Sequence, residues 1–293
     1  MRPHTTIAQS MSKGVALTRG NSKLIGVLFC VNLFWSLGLA MPVGLALSRT
    51  IGHLGMSEAL EGEFTYIWWN DFIQANTDLL PLAKALMLGT AIFYLLINIF
   101  FTGGILSFYR DGGGSWRAFF AHSGGFFLPL LRPACVSLIV FVFLIGTFYN
   151  LKRLVNHLLE DYPFGGLPLA LNLLLGFFLL ISLLVSKMLF DYWRIGIIFR
   201  QRASLRQGLR EALRFIASYP WCTFGLYGAL LSVGCGLGGT YLLATALFSR
   251  SSLLGVSLIL LIQQAFILSR IVLRLLFLSS QASLYRRLAI EAS

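Results

Sequence analysis

Apolar residues dominate six stretches of this chain, at about 24–48, 82–108, 134–150, 167–190, 221–248 and 252–278. A helix needs about 20 residues to cross a hydrocarbon core of about 30 Å, and buried strands are far shorter. Each stretch therefore predicts a transmembrane helix. The third is the shortest, with Pro133 before it and Lys152 and Arg153 after it. The first is too long for a secretory signal core and is followed by no A-x-A cleavage site, so it is read as a retained span. The pattern predicts an all-α, polytopic membrane protein: one six-helix domain over residues 24–287, between a tail at 1–23 and a tail at 288–293.

The segments between the spans carry patterns of their own. Between spans four and five, Leu205, Leu209, Leu213 and Ile216 recur at helical spacing, with Arg206, Arg210 and Arg214 four residues apart on a neighbouring face. Ser204 and Gln207 form a capping box before them and Pro220 closes the segment. This predicts a basic amphipathic helix lying on the inner leaflet, with docking onto a cytoplasmic partner as the alternative. Between spans two and three, Arg110, three glycines at 112–114 and Ser115 lead into Trp116, Arg117, Phe119 and Phe120. Span, basic turn, surface helix and span thus occur twice in the same sense. That predicts a diverged parallel repeat over about 95–148 and 185–240. In the first outer loop, aromatics crowd residues 64–72, consistent with an interfacial anchor or an aromatic ligand platform.

Composition agrees with this reading. Of 293 residues, 57% are hydrophobic and only 12% charged, about half the charge of a soluble domain. The net charge of +12 and a pI near 10.0 invite a nucleic-acid reading, but the distribution of charge argues for membrane orientation instead. With the amino terminus inside, the inner segments hold Arg2, Lys13, Arg19, Lys23, Arg110, Arg117, Arg132, Lys187, Arg194, Arg200, Arg202, Arg206, Arg210, Arg214, Arg270, Arg274, Arg286 and Arg287. The outer segments keep only Arg49, Lys84, Lys152, Arg153 and Arg250. The positive-inside rule then places both termini in the cytoplasm.

Catalytic patterns are sparse. The four cysteines, Cys30, Cys135, Cys222 and Cys235, lie in apolar runs without a CxxC spacing and read as packing residues. No metal and no cofactor is indicated. His157 shares an outer loop with Glu160 and Asp161, which reads as a solvated loop, with a weak metal or acid–base site as the alternative. Gly234, Gly236 and Gly239 match a dinucleotide fingerprint formally, but inside an apolar span the Gly234 and Gly238 spacing reads as helix packing. Gly103 and Gly104 mark a packing corner or a break in span two. Lys187, Asp191 and Arg194 share one face at the inner end of span four, and Arg270 and Arg274 on span six are expected at the same level. This cluster reads as a structural ion-pair network, with a gate or headgroup pocket as the alternative. Asn98, Gln263 and Gln264 are the polar residues of the mid-membrane region, for contacts between helices or for a substrate path.

Two short segments, Gly103 to Leu106 ending span two and Asp191 to Arg194 ending span four, together with the basic amphipathic helix after the latter, resemble bacterial inner-membrane proteins of six helices that have no established function. The resemblance covers most of the chain. It implies a six-helix domain in the bacterial cytoplasmic membrane and carries no catalytic residues. The expected role is that of a non-enzymatic membrane component for transport or lipid handling, moving or accommodating a lipid-like or small substrate. A scaffold subunit of a membrane complex is the first alternative and a membrane-embedded enzyme the second. Expected partners are anionic lipid at the cytoplasmic face and a membrane protein or a second copy of the chain. Inner-rim contacts are assigned to Arg110, Arg117, Arg132, Lys187, Asp191, Arg194, Arg206, Arg210, Arg214, Arg270 and Arg274.

Overall fold

The computed structural model describes residues 3–54, 70, 74, 77, 79–159, 166–201, 205–248 and 253–290. Nine α-helices and no strand occur among them. They are α1 (Pro3–Gly20), α2 (Ser22–Leu54), α3 (Leu79–Asp111), α4 (Trp116–Gly125), α5 (Phe127–Leu158), α6 (Gly166–Arg200), α7 (Leu205–Ser218), α8 (Pro220–Ala246) and α9 (Leu253–Tyr285), with a π-helical turn at Arg286–Ile290. Six of them, α2, α3, α5, α6, α8 and α9, are long and apolar enough to cross a membrane. The protein is a multi-pass membrane protein with surface helices α4 and α7. The aromatic segment at 64–72 lies outside the described residues apart from Asn70, and Ser204, Glu160 and Asp161 also lie outside them.

The helices are longer than their apolar stretches. α5 starts at Phe127 and carries Pro133 inside it, where the sequence suggested a start at 134. A proline in a spanning helix is tolerated when neighbours compensate the lost bond, and Pro133 is buried. α3, α6 and α9 have 33, 35 and 33 residues, about 50 Å each at about 1.5 Å per residue. They continue past the expected ends at 108, 190 and 278 to Asp111, Arg200 and Tyr285. The chain packs closely in these extra turns and in the turns just before them. Ile105, Leu106, Tyr192, Trp193, Ile195, Ile198, Leu284 and Tyr285 are all fully buried or nearly so. Further along α5 and α6, Phe143, Tyr149, Leu173, Phe177 and Phe178 are exposed, as side chains facing lipid are.

The chain divides into two compact units. The first, Met1–Leu17, Ile99–Ala229 and Leu276–Ser293, holds most of this packing. One constant offset along the chain, the one that carries Gly112 onto Gln201, superposes equivalent features of α3–α4–α5 and α6–α7–α8. Gly112 and Gln201 both leave their span with positive φ, at 77° and 52°, the left-handed conformation that ends helices. The same offset carries Phe119, which packs on Gly104, onto Gly208, which packs on Trp193. Large and small have changed places: at Gly104 an added Cβ would lie 2.7 Å from Phe119, and at Gly208 it would lie 2.6 Å from the Trp193 Nε1. It also carries Gly103 against Phe126 onto Tyr192 against Phe215, whose rings are 5.1 Å apart.

A third copy closes the set with its parts exchanged in order. The end of α9 takes the place of α3 and α6: Gly104, Trp193 and Ser280 correspond, as do Leu106, Ile195 and Ala282, and Tyr109, Ile198 and Tyr285, and all nine are buried. The surface helix on α9 is α1, the segment read from sequence as a tail. Its Gly14 meets Ser279 and Ser280, the Ser279 hydroxyl donates to the Gly14 carbonyl at 3.1 Å, and the Arg287 guanidinium donates to the Gln9 side chain. Thr6, Ser10, Gly14 and Thr18 recur every fourth residue on its buried face. α1 then leads straight into span α2, as α4 leads into α5.

The second unit, Thr18–Asn98 and Leu230–Leu275, exposes Phe34, Leu37, Met41, Leu88, Leu242 and Leu261. Tyr241 stacks on Phe266 at 4.3 Å and Trp35 meets Phe93 at 4.6 Å. A Cβ at Gly234 would stand 3.1 Å from Leu273, whereas one at Gly238 would meet nothing within 4 Å, so of the two glycines only the former makes a close approach.

The size exchange predicts opposite outcomes for two glycine substitutions. Gly208→Ala forces its Cβ into Trp193 and should destabilise the protein by about 1–3 kcal/mol. Gly176→Ala, where a Cβ meets nothing within 4 Å, should be neutral or stabilising by up to about 1 kcal/mol. Thermal unfolding of both variants in one detergent measures the difference.

Candidate functional site

Two clusters in the first unit gather most of the polar chemistry. The first is centred on Arg110 in the last turn of α3. Its Nε and Nη2 donate to the two carboxylate oxygens of Asp111 at 2.8 and 3.1 Å. Its Nη1 donates to the Ile198 carbonyl at 3.0 Å, satisfying one of the last carbonyls of α6, which have no partner within that helix. The guanidinium also lies over the Phe126 ring at 5.8 Å. Arg286 donates in turn to the Arg110 carbonyl at 3.4 Å, and Phe199 meets Tyr285 at 6.0 Å. Arg110, Phe199 and Arg286 are equivalent positions of the three copies. The contacts therefore run from α3 to α6, from α6 to α9 and from α9 back to α3.

An ion pair braces the turn of each of the first two copies. His122 Nε2 stands 3.7 Å from Asp111 Oδ2, and Arg200 stands 3.5 Å from Glu211. The offset maps Asp111 onto Arg200 and His122 onto Glu211, so the sign of each partner is reversed. The first pair is ionic only with His122 protonated.

The second cluster lies on α6. Arg194 stands 3.8 Å from Asp191, as expected from their i,i+3 spacing. The Lys187 ammonium lies over the Phe277 ring at 5.7 Å, and Phe277 packs edge-on against Tyr227 of α8 at 5.4 Å. Neither Phe277 nor Tyr227 was singled out from sequence, because aromatics in apolar runs read as core.

The other expected site residues are dispersed. Arg117 and Arg132 are exposed on α4 and α5. Arg206, Arg210 and Arg214 are exposed along α7. In the second unit, Arg274 donates to the side-chain oxygen of Asn98, and the Asn98 amide nitrogen donates to the Tyr94 carbonyl at 2.7 Å. That second bond turns the Asn98 oxygen toward the guanidinium. Arg270 and Gln263 are exposed, and Gln264 is half-buried.

α4 and α7 present similar outer surfaces. On α4, Ser115 caps the helix by accepting from the Ala118 amide at 3.2 Å, Phe119 and Ser123 are buried, and Trp116 and Phe120 are exposed beside Arg117. On α7, Ala212 and Phe215 are buried, while Leu205 and Leu213 are exposed beside the three arginines. Trp221, at the start of α8, is 81% exposed, as an interfacial tryptophan would be. No group of three or more His, Cys, Asp or Glu side chains placed to hold a metal ion occurs among the described residues. No family model, curated protein or solved structure matches the chain.

The Arg110 fork leads to a prediction. Arg110→Ala removes three charge-assisted hydrogen bonds, and each typically contributes about 1–3 kcal/mol. Arg110→Lys retains the charge without the planar fork. Unfolding in detergent should show both variants destabilised, with the lysine recovering less than half of the loss.

Proposed function

We propose that this protein is a non-enzymatic component of a bacterial cytoplasmic membrane that handles or moves lipid, with its basic end and both termini in the cytoplasm. The observation that carries this reading is the division of α7 into three strips. Gly208, Ala212 and Phe215 face the protein, and Glu211 beside them pairs with Arg200. Leu205, Leu209, Leu213 and Ile216 form an apolar strip next to them. Arg206, Arg210 and Arg214 form the strip beyond.

A helix docked on an acidic soluble partner has no use for exposed leucines between its cations and its protein-facing side. A helix half-sunk in the headgroup layer needs that order: protein, acyl chain, phosphate. Trp116, Phe120 and Arg117 on α4 repeat the arrangement. The excess of basic residues at these helix ends supports the cytoplasmic assignment. Each arginine near an anionic surface contributes on the order of 1 kcal/mol.

Two measurements test the reading. The triple variant Arg206→Ala, Arg210→Ala, Arg214→Ala, reconstituted in bilayers of mixed charge, should lose its enrichment of anionic over zwitterionic lipid by about tenfold or more. Retained enrichment would remove the role. A cysteine placed by Arg206→Cys should react with an impermeant maleimide only after the inner membrane is opened; labelling in intact spheroplasts would reverse the topology.

A further inference from the structure

One side of α7 is fixed by packing. Phe215 lies 5.1 Å from the Tyr192 ring and 5.0 Å from the Tyr285 ring, and Gly208 lies against Trp193. The opposite side carries Arg206, Arg210 and Arg214, all exposed. None of the three pairs with an acid among the described residues. Glu211, the acid nearest them in sequence, is turned aside to Arg200 at 3.5 Å. Like charges one turn apart on a helix repel, so the strip calls for an anion from outside. Its spacing narrows the choice. At about 1.5 Å per residue, neighbouring arginines stand about 6 Å apart along the axis and the outer two about 12 Å.

We propose that α7 holds a lipid whose headgroup carries two phosphodiesters joined through one glycerol, with each phosphate on one of two neighbouring arginines. The inference rests on the lipid-handling reading and names the class of lipid. Six covalent bonds separate the two phosphorus atoms of such a headgroup, which at about 1.5 Å per bond caps their distance at roughly 8 Å. That reach matches arginines one turn apart and falls short of the outer pair. Two separate phospholipids can also bring two phosphates here, but each must be immobilised on its own. With linked phosphates, binding of the first delivers the second at high effective concentration. A helix already fixed by its inner face keeps that advantage, because its cations need little rearrangement. Leu205 and Leu213, exposed beside the arginines, offer the acyl chains an apolar strip, which commits the anion to a membrane lipid. α4 carries a single arginine, Arg117, and cannot make such a pair.

The test uses the full chain reconstituted in zwitterionic nanodiscs doped with diphosphatidylglycerol or with phosphatidylglycerol at equal total phosphate. Lipid retained by the protein is read by native mass spectrometry. The linked lipid should be retained at least tenfold more strongly per phosphate. Arg210→Ala leaves only the outer pair and should abolish that preference. Arg206→Ala and Arg214→Ala each remove the same charge but leave a neighbouring pair, and should keep most of it. Arg117→Ala should keep all of it. Equal retention of the two lipids, or an equal loss of preference in the three α7 variants, would overturn the inference while the lipid-handling reading stands. Retention of neither lipid above the zwitterionic background would sink that reading and this inference with it.

Discussion

One residue, Arg110, joins the three helix ends, through its guanidinium and its own carbonyl. Arg110 is the last long side chain of α3, and it donates sideways to the Ile198 carbonyl at the end of α6 while its own carbonyl accepts from Arg286 after α9. A helix end leaves carbonyls without partners, and three such ends brought together would multiply that deficit. Arginine answers it because a planar fork can pair a carboxylate with two of its donors and still offer a third elsewhere. Asp111, the next residue in the chain, holds the fork in the required plane.

The spans were legible because hydropathy integrates over about 20 residues, and six such windows stand clear of the rest. The core was not. A large part of it lies at the span ends, where Tyr192, Trp193 and Ile195 alternate with Asp191 and Arg194, and a mixed stretch of that kind reads as a boundary. Only the amphipathic period of α7 revealed a surface helix plainly. Its capping residue Ser204 lies outside the described residues, so that part of the reading stands where it was. α1 was missed for a physical reason. Its inward face is Thr6, Ser10, Gly14 and Thr18, small side chains that allow backbones to approach closely but leave no apolar rhythm to detect. The same limit applies to the site residues. Charges could be placed on faces from spacing alone, but Phe277 acquires meaning only from the Lys187 ammonium that α6 places over its ring.

The repeats preserve geometry and exchange chemistry. Phe119 fills the space above Gly104, and Trp193 fills the space above Gly208. Asp111 faces His122, and Arg200 faces Glu211. What is retained is the sum across each contact, one large residue with one small and one acid with one base. Close packing and charge balance both constrain pairs and leave individuals free. Such divergence erases identity between the segments, while the left-handed residue at the end of each span, Gly112 and Gln201, is kept.

The exchanged order of the third copy has a consequence for biosynthesis. α1 leaves the ribosome before the other described helices, yet Ser279 and Ser280, against which it packs, are made only with the last span. At synthesis rates of about 5–20 residues per second, the small-residue face of α1 waits on the order of tens of seconds for its partner. Closure of the ring is therefore a late step of assembly, reached only after insertion of α9, and a chain truncated before that helix would leave α1 exposed to the quality-control machinery of the cell.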